Sequence, residues 1–190
     1  AGRERGEVAE LAVGGGAGAL YQGTTSVAVG ADAGRNVQGA SAVAIGNTAG
    51  YCGQSTFSVA IGFGSGAYTQ GTTSVAVGPN AGFSGQSVAS VAIGSSAGCT
   101  GQGASSVAIG QYAGGSGQSA SAVAIGNLAG QTTQGTNSVA LGTSAGASNQ
   151  GANAIAIGQY AGLSSQANNS IVINATGSIV DNTTASSCII

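Results

Sequence analysis

The sequence predicts an all-β fold, a parallel β-solenoid in which the chain winds through ten 16-residue coils and a degenerate capping coil. Three observations predict it. A glycine returns in one register from Gly14 and Gly30 through Gly46, Gly62, Gly78, Gly94, Gly110, Gly126 and Gly142 to Gly158. A second glycine column runs on the same period from Gly18 through Gly34, Gly50 and Gly114 to Gly162. A glutamine column accompanies it from Gln22 through Gln38, Gln54 and Gln118 to Gln166. Between them recurs an apolar triplet (Val27-Ala28-Val29, Val43-Ala44-Ile45, Val59-Ala60-Ile61, Val107-Ala108-Ile109) whose central alanine never varies from Ala12 to Ala156. Stacked repeats produce such a period because each unit buries its surface only against its neighbours.

The unit Ser26 to Ser41 shows how each element arises. Val27 and Val29 alternate with Ala28, the period-two pattern of a strand. The β-branched side suits a pleated surface. It offers two large side chains per coil, worth about 1.5–3 kcal/mol each when buried. The Ser-Ala-Gly side is small enough for another backbone to approach, and is a candidate face for packing against neighbouring chains, although the sequence leaves open which face meets them. Gly30 permits a corner at positive φ, and Ala33-Gly34 makes a second one. The stretch around Asn36 to Ala40 is expected to return as a second, less apolar strand. Gly-Ala-Ser or Gly-Thr-Thr then closes the coil. No helical pattern lies between strands, which excludes βαβ units, and 16 residues are too few for a four-stranded propeller blade.

A coil this poor in large side chains is short of driving force. Ordering its backbone costs about 1–2 kcal/mol per residue, more than two large side chains return. A second apolar interface is therefore expected, and with it a homo-oligomer.

Composition narrows the function classes. The chain has only 3 Lys+Arg and 5 Asp+Glu, and no His. Arg3, Glu4, Arg5, Glu7 and Glu10 cluster at the start, leaving Asp32, Arg35 and Asp181. No basic stripe for nucleic acid or an anionic membrane surface exists, and no apolar run is long enough for a membrane-spanning helix. The regular β-branched triplets distinguish the chain from a disordered low-complexity one. Cys52 and Cys99 lie about three coils apart, roughly 14 Å at about 4.8 Å per strand, too far for a disulfide. With Cys188 they are expected to be free thiols.

No cofactor or metal is expected. A Cys/His set for zinc is missing, and a calcium-binding roll needs an acid in every coil, where these repeats hold only Asp32 after Glu10. Strings such as Gly14-Gly15-Gly16-Ala17-Gly18 lack the Lys-Ser/Thr and helix of a phosphate loop. Without His, Lys or paired carboxylates the many hydroxyls have no base beside them, so the chain is not read as an enzyme. The glutamine column reads as a stacked amide ladder, or as side chains tying down their own turns, in preference to a ligand row. Tyr51, Phe63, Tyr68, Phe83, Tyr112 and Tyr160 occupy variable columns and are the candidate exposed contact residues; Tyr112 and Tyr160 share a column. Asn168, Asn174 and Asn182 begin N-x-Ser/Thr sequons.

The repeat also resembles a known family. Ser58 to Gly66 reads Ser-Val-Ala-Ile-Gly-Phe-Gly-Ser-Gly, and Ser106 to Gly114 reads Ser-Val-Ala-Ile-Gly-Gln-Tyr-Ala-Gly. These resemble the head repeats of bacterial trimeric autotransporter adhesins. The longer form, with Gln-Gly after the second glycine, looks closer to fibre-like structural proteins of algal and giant viruses and some phages. The tail Asn169-Ser170-Ile171-Val172-Ile173-Asn174-Ala175-Thr176-Gly177 is similar to a segment of those viral proteins. The resemblance covers residues 10 to about 187. It implies a left-handed parallel β-roll, three chains around one axis, and a place outside the cell or on a virion. The bacterial repeat is usually shorter, so the outline of the coil is expected to differ.

Three segments follow: a charged linker or seam over 1–9, ten repeats over 10–169, and a degenerate last coil with its tail over 170–190. The last coil, Ser170–Ala185, is expected to cap the open sheet edge. The expected function is a structural surface fibre, a homotrimeric rod for attachment or spacing on a virion or cell. The alternatives are an adhesin head that binds glycan or matrix, a self-assembling extracellular filament, and an ice-binding solenoid, for which the threonine rows are broken.

Overall fold

The recurring Val-Ala-Val and Val-Ala-Ile triplets are strands, and they stack in register in the computed structural model, which describes residues 10–190. The linker expected over 1–9 lies outside the described residues. Val27 pairs with Val43, Ala28 with Ala44 and Val29 with Ile45, all parallel, and the same step recurs up to Ile155 with Ile171. The result is one 12-stranded parallel sheet whose order follows the chain, and an all-β solenoid of about eleven turns. Each coil pairs only with its neighbours above and below, so the backbone of the interior coils is satisfied along the rod axis.

The second side of each coil ends on the glutamine. Cys52–Gln54, Tyr68–Gln70 and Ser84–Gln86 form one three-stranded sheet, and Ser116–Gln118, Thr132–Gln134 and Ser148–Gln150 form another. Single bridges at Gln38, Thr100 and Ser164 join them to the remaining coils. The strand expected over Asn36 to Ala40 is thus reduced to one bridging residue in its own coil. These strands stay short because the residue before the glutamine is commonly left-handed, as at Thr69 (φ 55) and Thr133 (φ 52), which interrupts the pleat.

The phase of the main strand is opposite to the expectation. Ala28, Ala44, Ala60 and Ala108 are fully buried inside the coil, whereas Val27 and Val43 are half-buried and Ile45, Ile61 and Leu141 exposed. The Ser-Ala-Gly side therefore faces the interior and is unavailable to neighbouring chains. The physical reason is the glutamine: it is the largest side chain inside the coil, and the space it leaves is lined by Ala, Ser and Gly. The second alanine column (Ala33, Ala49, Ala81, Ala113) and the small residue before the strands (Ser26, Ser58 and Ser106; Ala42, Ala122 and Ala154) fill the rest.

The last coil is enlarged instead of closing the sheet. Ile171 pairs with Cys188, a step of 17 residues, and Cys188–Ile189 adds another strand beyond it. The expected cap over Ser170–Ala185 therefore does not end the pairing. Val172 takes the place of the central alanine and is fully buried.

Candidate functional site

The glutamine brace is what positions every outward residue. Gln38 Nε2 donates to the carbonyl of Val27 at 2.7 Å, Gln54 to Val43 at 2.7 Å and Gln118 to Val107 at 2.8 Å. Each bond crosses the interior to the main strand of the same coil. Further along the rod the amides also bond one another. Gln118 donates to Gln134 Oε1 at 3.1 Å, Gln134 to Gln150 at 3.1 Å and Gln150 to Gln166 at 3.2 Å. The column is a set of turn ties throughout and a ladder only from Gln118 to Gln166, since Oε1 of Gln38, Gln54, Gln70, Gln86, Gln102 and Gln118 is buried without a partner. The serine before the strand adds a second tie: Ser106 Oγ donates to Gly103 O at 2.7 Å.

The first glycine column forms the tight corner. A Cβ on Gly30 (φ +130) would lie 2.6 Å from the carbonyl oxygen of Gly46, and one on Gly46 equally close to Gly62; Gly110 repeats this against Gly126 at 2.7 Å. The columns are interdependent, since each glycine makes room for the next coil.

With the small side inside, the outer face of the long sheet carries two continuous aliphatic columns. One runs through Val27, Val43, Val59 and Val107, the other through Val29, Ile45, Ile61 and Ile109, with Leu141 and Ile173 further on. No charged residue lies in either column. Among the described residues nothing covers this face.

The aromatic candidates fall into two groups. Tyr51, Tyr68 and Phe83 form a file across neighbouring coils, with edge-on ring pairs at 6.0 Å and 5.2 Å between centroids. Arg35 extends it, its guanidinium carbon 5.9 Å from the Tyr51 ring and its nitrogen 3.1 Å from Asp32. Tyr68 and Phe63 are exposed, but Tyr51 and Phe83 are half-buried because the file packs on itself. Tyr112 and Tyr160 stand apart on left-handed backbone (φ 57 and 58); Tyr112 is exposed, Tyr160 half-buried. Two more exposed aromatics escape a reading by variable columns. They are Tyr21 and Phe57, 82% and 61% exposed, and both also occupy left-handed positions. Apart from Val37 and Ala89, their columns otherwise hold Thr, Ser, Asn or Gly, a turn signal that marks them as outward.

The three sequons differ in access. Asn174 and Asn182 are buried: Asn174 Nδ2 donates to Gln159 O at 2.7 Å, and Asn182 Oδ1 accepts from Ser187 Oγ at 2.8 Å. Only Asn168 is exposed, and its Oδ1 accepts the Ala152 N–H at 2.8 Å. The three cysteines are free thiols, and burial pushes the Cys99 thiol pKa up.

Comparison with family models, with curated proteins and with solved structures returns no match. The architecture is compatible with a β-roll repeat.

Proposed function

We propose that the protein is a structural rod in which copies of the same chain cover the aliphatic face of the long sheet, three around one axis. The observation that carries this reading is that outward face. It is about 50 Å long, from eleven steps of about 4.8 Å, and about 10 Å wide, from three residues of about 3.3 Å. Its footprint of about 500 Å² matches the largest apolar patches on monomeric proteins, which mark interaction sites. The flanking corners bring it towards the roughly 800 Å² per partner of a stable interface. Covering it also supplies the burial that an Ala/Ser/Gln interior lacks. Three chains, and not two, follow the resemblance of the repeat to adhesin heads and viral fibres.

In this reading the rod serves attachment or spacing on a virion or cell surface, and its mechanism is mechanical. Parallel pairing along the axis, one amide brace per coil and glycine corners stacked on glycine corners resist bending. The absolute solution mass tests the reading. The expected result is about 53 kDa, three times the 17.6 kDa of one chain. A monodisperse monomer overturns it, and a very large polydisperse mass replaces it with end-to-end filament growth.

A further inference from the structure

The repeats act as controls for one another at the outer corner. The residue after the second glycine carries a side chain at Arg35, Tyr51, Ala67, Phe83, Cys99, Gln131, Ala147 and Leu163, but is a glycine at Gly115. There the surface opens into a cavity of about 230 Å³. Tyr112, Cys99 and Gln131 bound it, with Ser96, Ser116 and Thr132 around them. Tyr160 repeats the left-handed backbone of Tyr112, but its coil has Leu163 in place of Gly115, and its ring is half-buried.

The lining selects a class of ligand. No charged residue contributes to it, and neither Asp32, Arg35 nor Asp181 belongs to its walls. The side chains of Ser96, Ser116 and Gln131 are left without hydrogen-bond partners among the described residues. Thr132 Oγ1 donates to Ala147 O at 3.1 Å and keeps its lone pairs to accept. The volume matches about eight waters at about 30 Å³ each, the size of one small ring. An aromatic wall with a few uncharged donors and acceptors suits a ligand with an apolar ring face and a rim of hydroxyls.

We propose that this cavity binds a neutral pyranose sugar, its ring stacked on Tyr112 and its hydroxyls bonded to Gln131, Ser116 and Thr132. A row of outward hydroxyls (Ser84, Thr100, Ser116, Thr132, Ser148, Ser164) runs through the site at one per coil. A linear oligosaccharide therefore has partners on both sides of the first ring. None of the lining residues belongs to the long sheet. The site thus lies outside the aliphatic face itself, with Ser96 and Tyr112 on the corners that flank it.

The test is saturation-transfer NMR on the assembled protein. The probes are methyl α-glucopyranoside, methyl β-galactopyranoside and N-acetylglucosamine, with glucuronic acid as the charged counterpart. The expected result is transfer to at least one neutral sugar, weakened about tenfold or more by Gly115→Leu and by Tyr112→Asn. Gly115→Leu copies the residue found at Leu163, and Tyr112→Asn keeps a side chain that tolerates left-handed backbone. Both are expected to melt with the parent, which separates loss of the site from loss of the fold. Transfer to none of the neutral sugars, transfer undiminished in both variants, or a preference for glucuronic acid overturns the proposal.

Discussion

A Cβ placed on Gly114 would lie 2.6 Å from Oε1 of Gln118 and 3.1 Å from the Cβ of Ala108. The second glycine, the glutamine and the strand alanine therefore occupy one shared space, so their columns recur together. Gly114 also has φ +53, which an alanine reaches only at a cost of about 1–2 kcal/mol. Gly114→Ala is expected to destabilise by about 2–4 kcal/mol, from backbone strain plus displacement of the glutamine amide. Gln118→Ala relieves the contact but leaves the Val107 carbonyl without its brace. The double variant is expected to be less unstable than the sum of the two by about 1 kcal/mol. Chemical denaturation of the three variants measures this, and strict additivity contradicts the shared-space account.

A stabilising change follows from the left-handed corners. Ala89 sits exposed at φ 55, in a column where Asn137, Asn153 and Asn169 adopt the same conformation. Asn137 donates to Asn153 at 3.2 Å, and Asn153 to Asn169 at 3.0 Å. Ala89→Asn is expected to stabilise by about 0.5–1 kcal/mol, since Asn tolerates left-handed backbone better than Ala. A lower denaturation midpoint for this variant counts against that reading of the corner.

Much of this architecture was legible in the sequence, and the missing part has a specific cause. The period, the parallel register and the corners follow from columns such as Gly30, Gly34 and Gln38, because a fixed spacing has one efficient stacking. The phase of the strand does not follow. Alternation at Val107-Ala108-Ile109 says that two faces differ, not which one is inside. The habit of placing large apolar groups inside fails here because Gln118 occupies the interior. A buried glutamine in every coil could have given the answer, since it leaves space only for alanine. The cavity was hidden for another reason. Gly115 lies outside the conserved-spacing columns of glycine and reads as neutral variation until the neighbouring Tyr112 is seen beside it.

The thiols are expected to separate by access. Cys188 is exposed, whereas Cys99 is half-buried with its pKa raised by burial. The thiolate is the reactive form, so alkylation of native protein at neutral pH is expected to modify Cys188 first and Cys99 last. The sign with pH follows. Below the ordinary thiol pKa of about 8.5 the contribution of neutral Cys99 to stability is fully present. It is lost as pH rises through the raised folded-state value. Peptide mass mapping over time checks the order, and equal labelling of Cys99 and Cys188 contradicts it.

Passage through a glycosylating secretory route is expected to modify Asn168 alone once the chain has folded. Asn174 and Asn182 keep their amides inside the last coil. Glycopeptide mapping after expression in such a host decides it, and occupied Asn174 or Asn182 would show that this coil is open when the glycan is added.

The central claim is the orientation of the strand, with alanine and glutamine inside and the aliphatic columns outside against other copies. Ala108→Leu and Ile109→Asp test it as a pair, followed by thermal melting and light scattering on the same samples. The account predicts that Ala108→Leu loses several kcal/mol by overpacking the coil. Ile109→Asp is predicted to fall to the 17.6 kDa of a single chain and to melt at a lower temperature, because it loses the burial that the partner copies supply. If Ile109→Asp unfolds while Ala108→Leu stays folded and only fails to assemble, the strand faces the other way and the account is wrong.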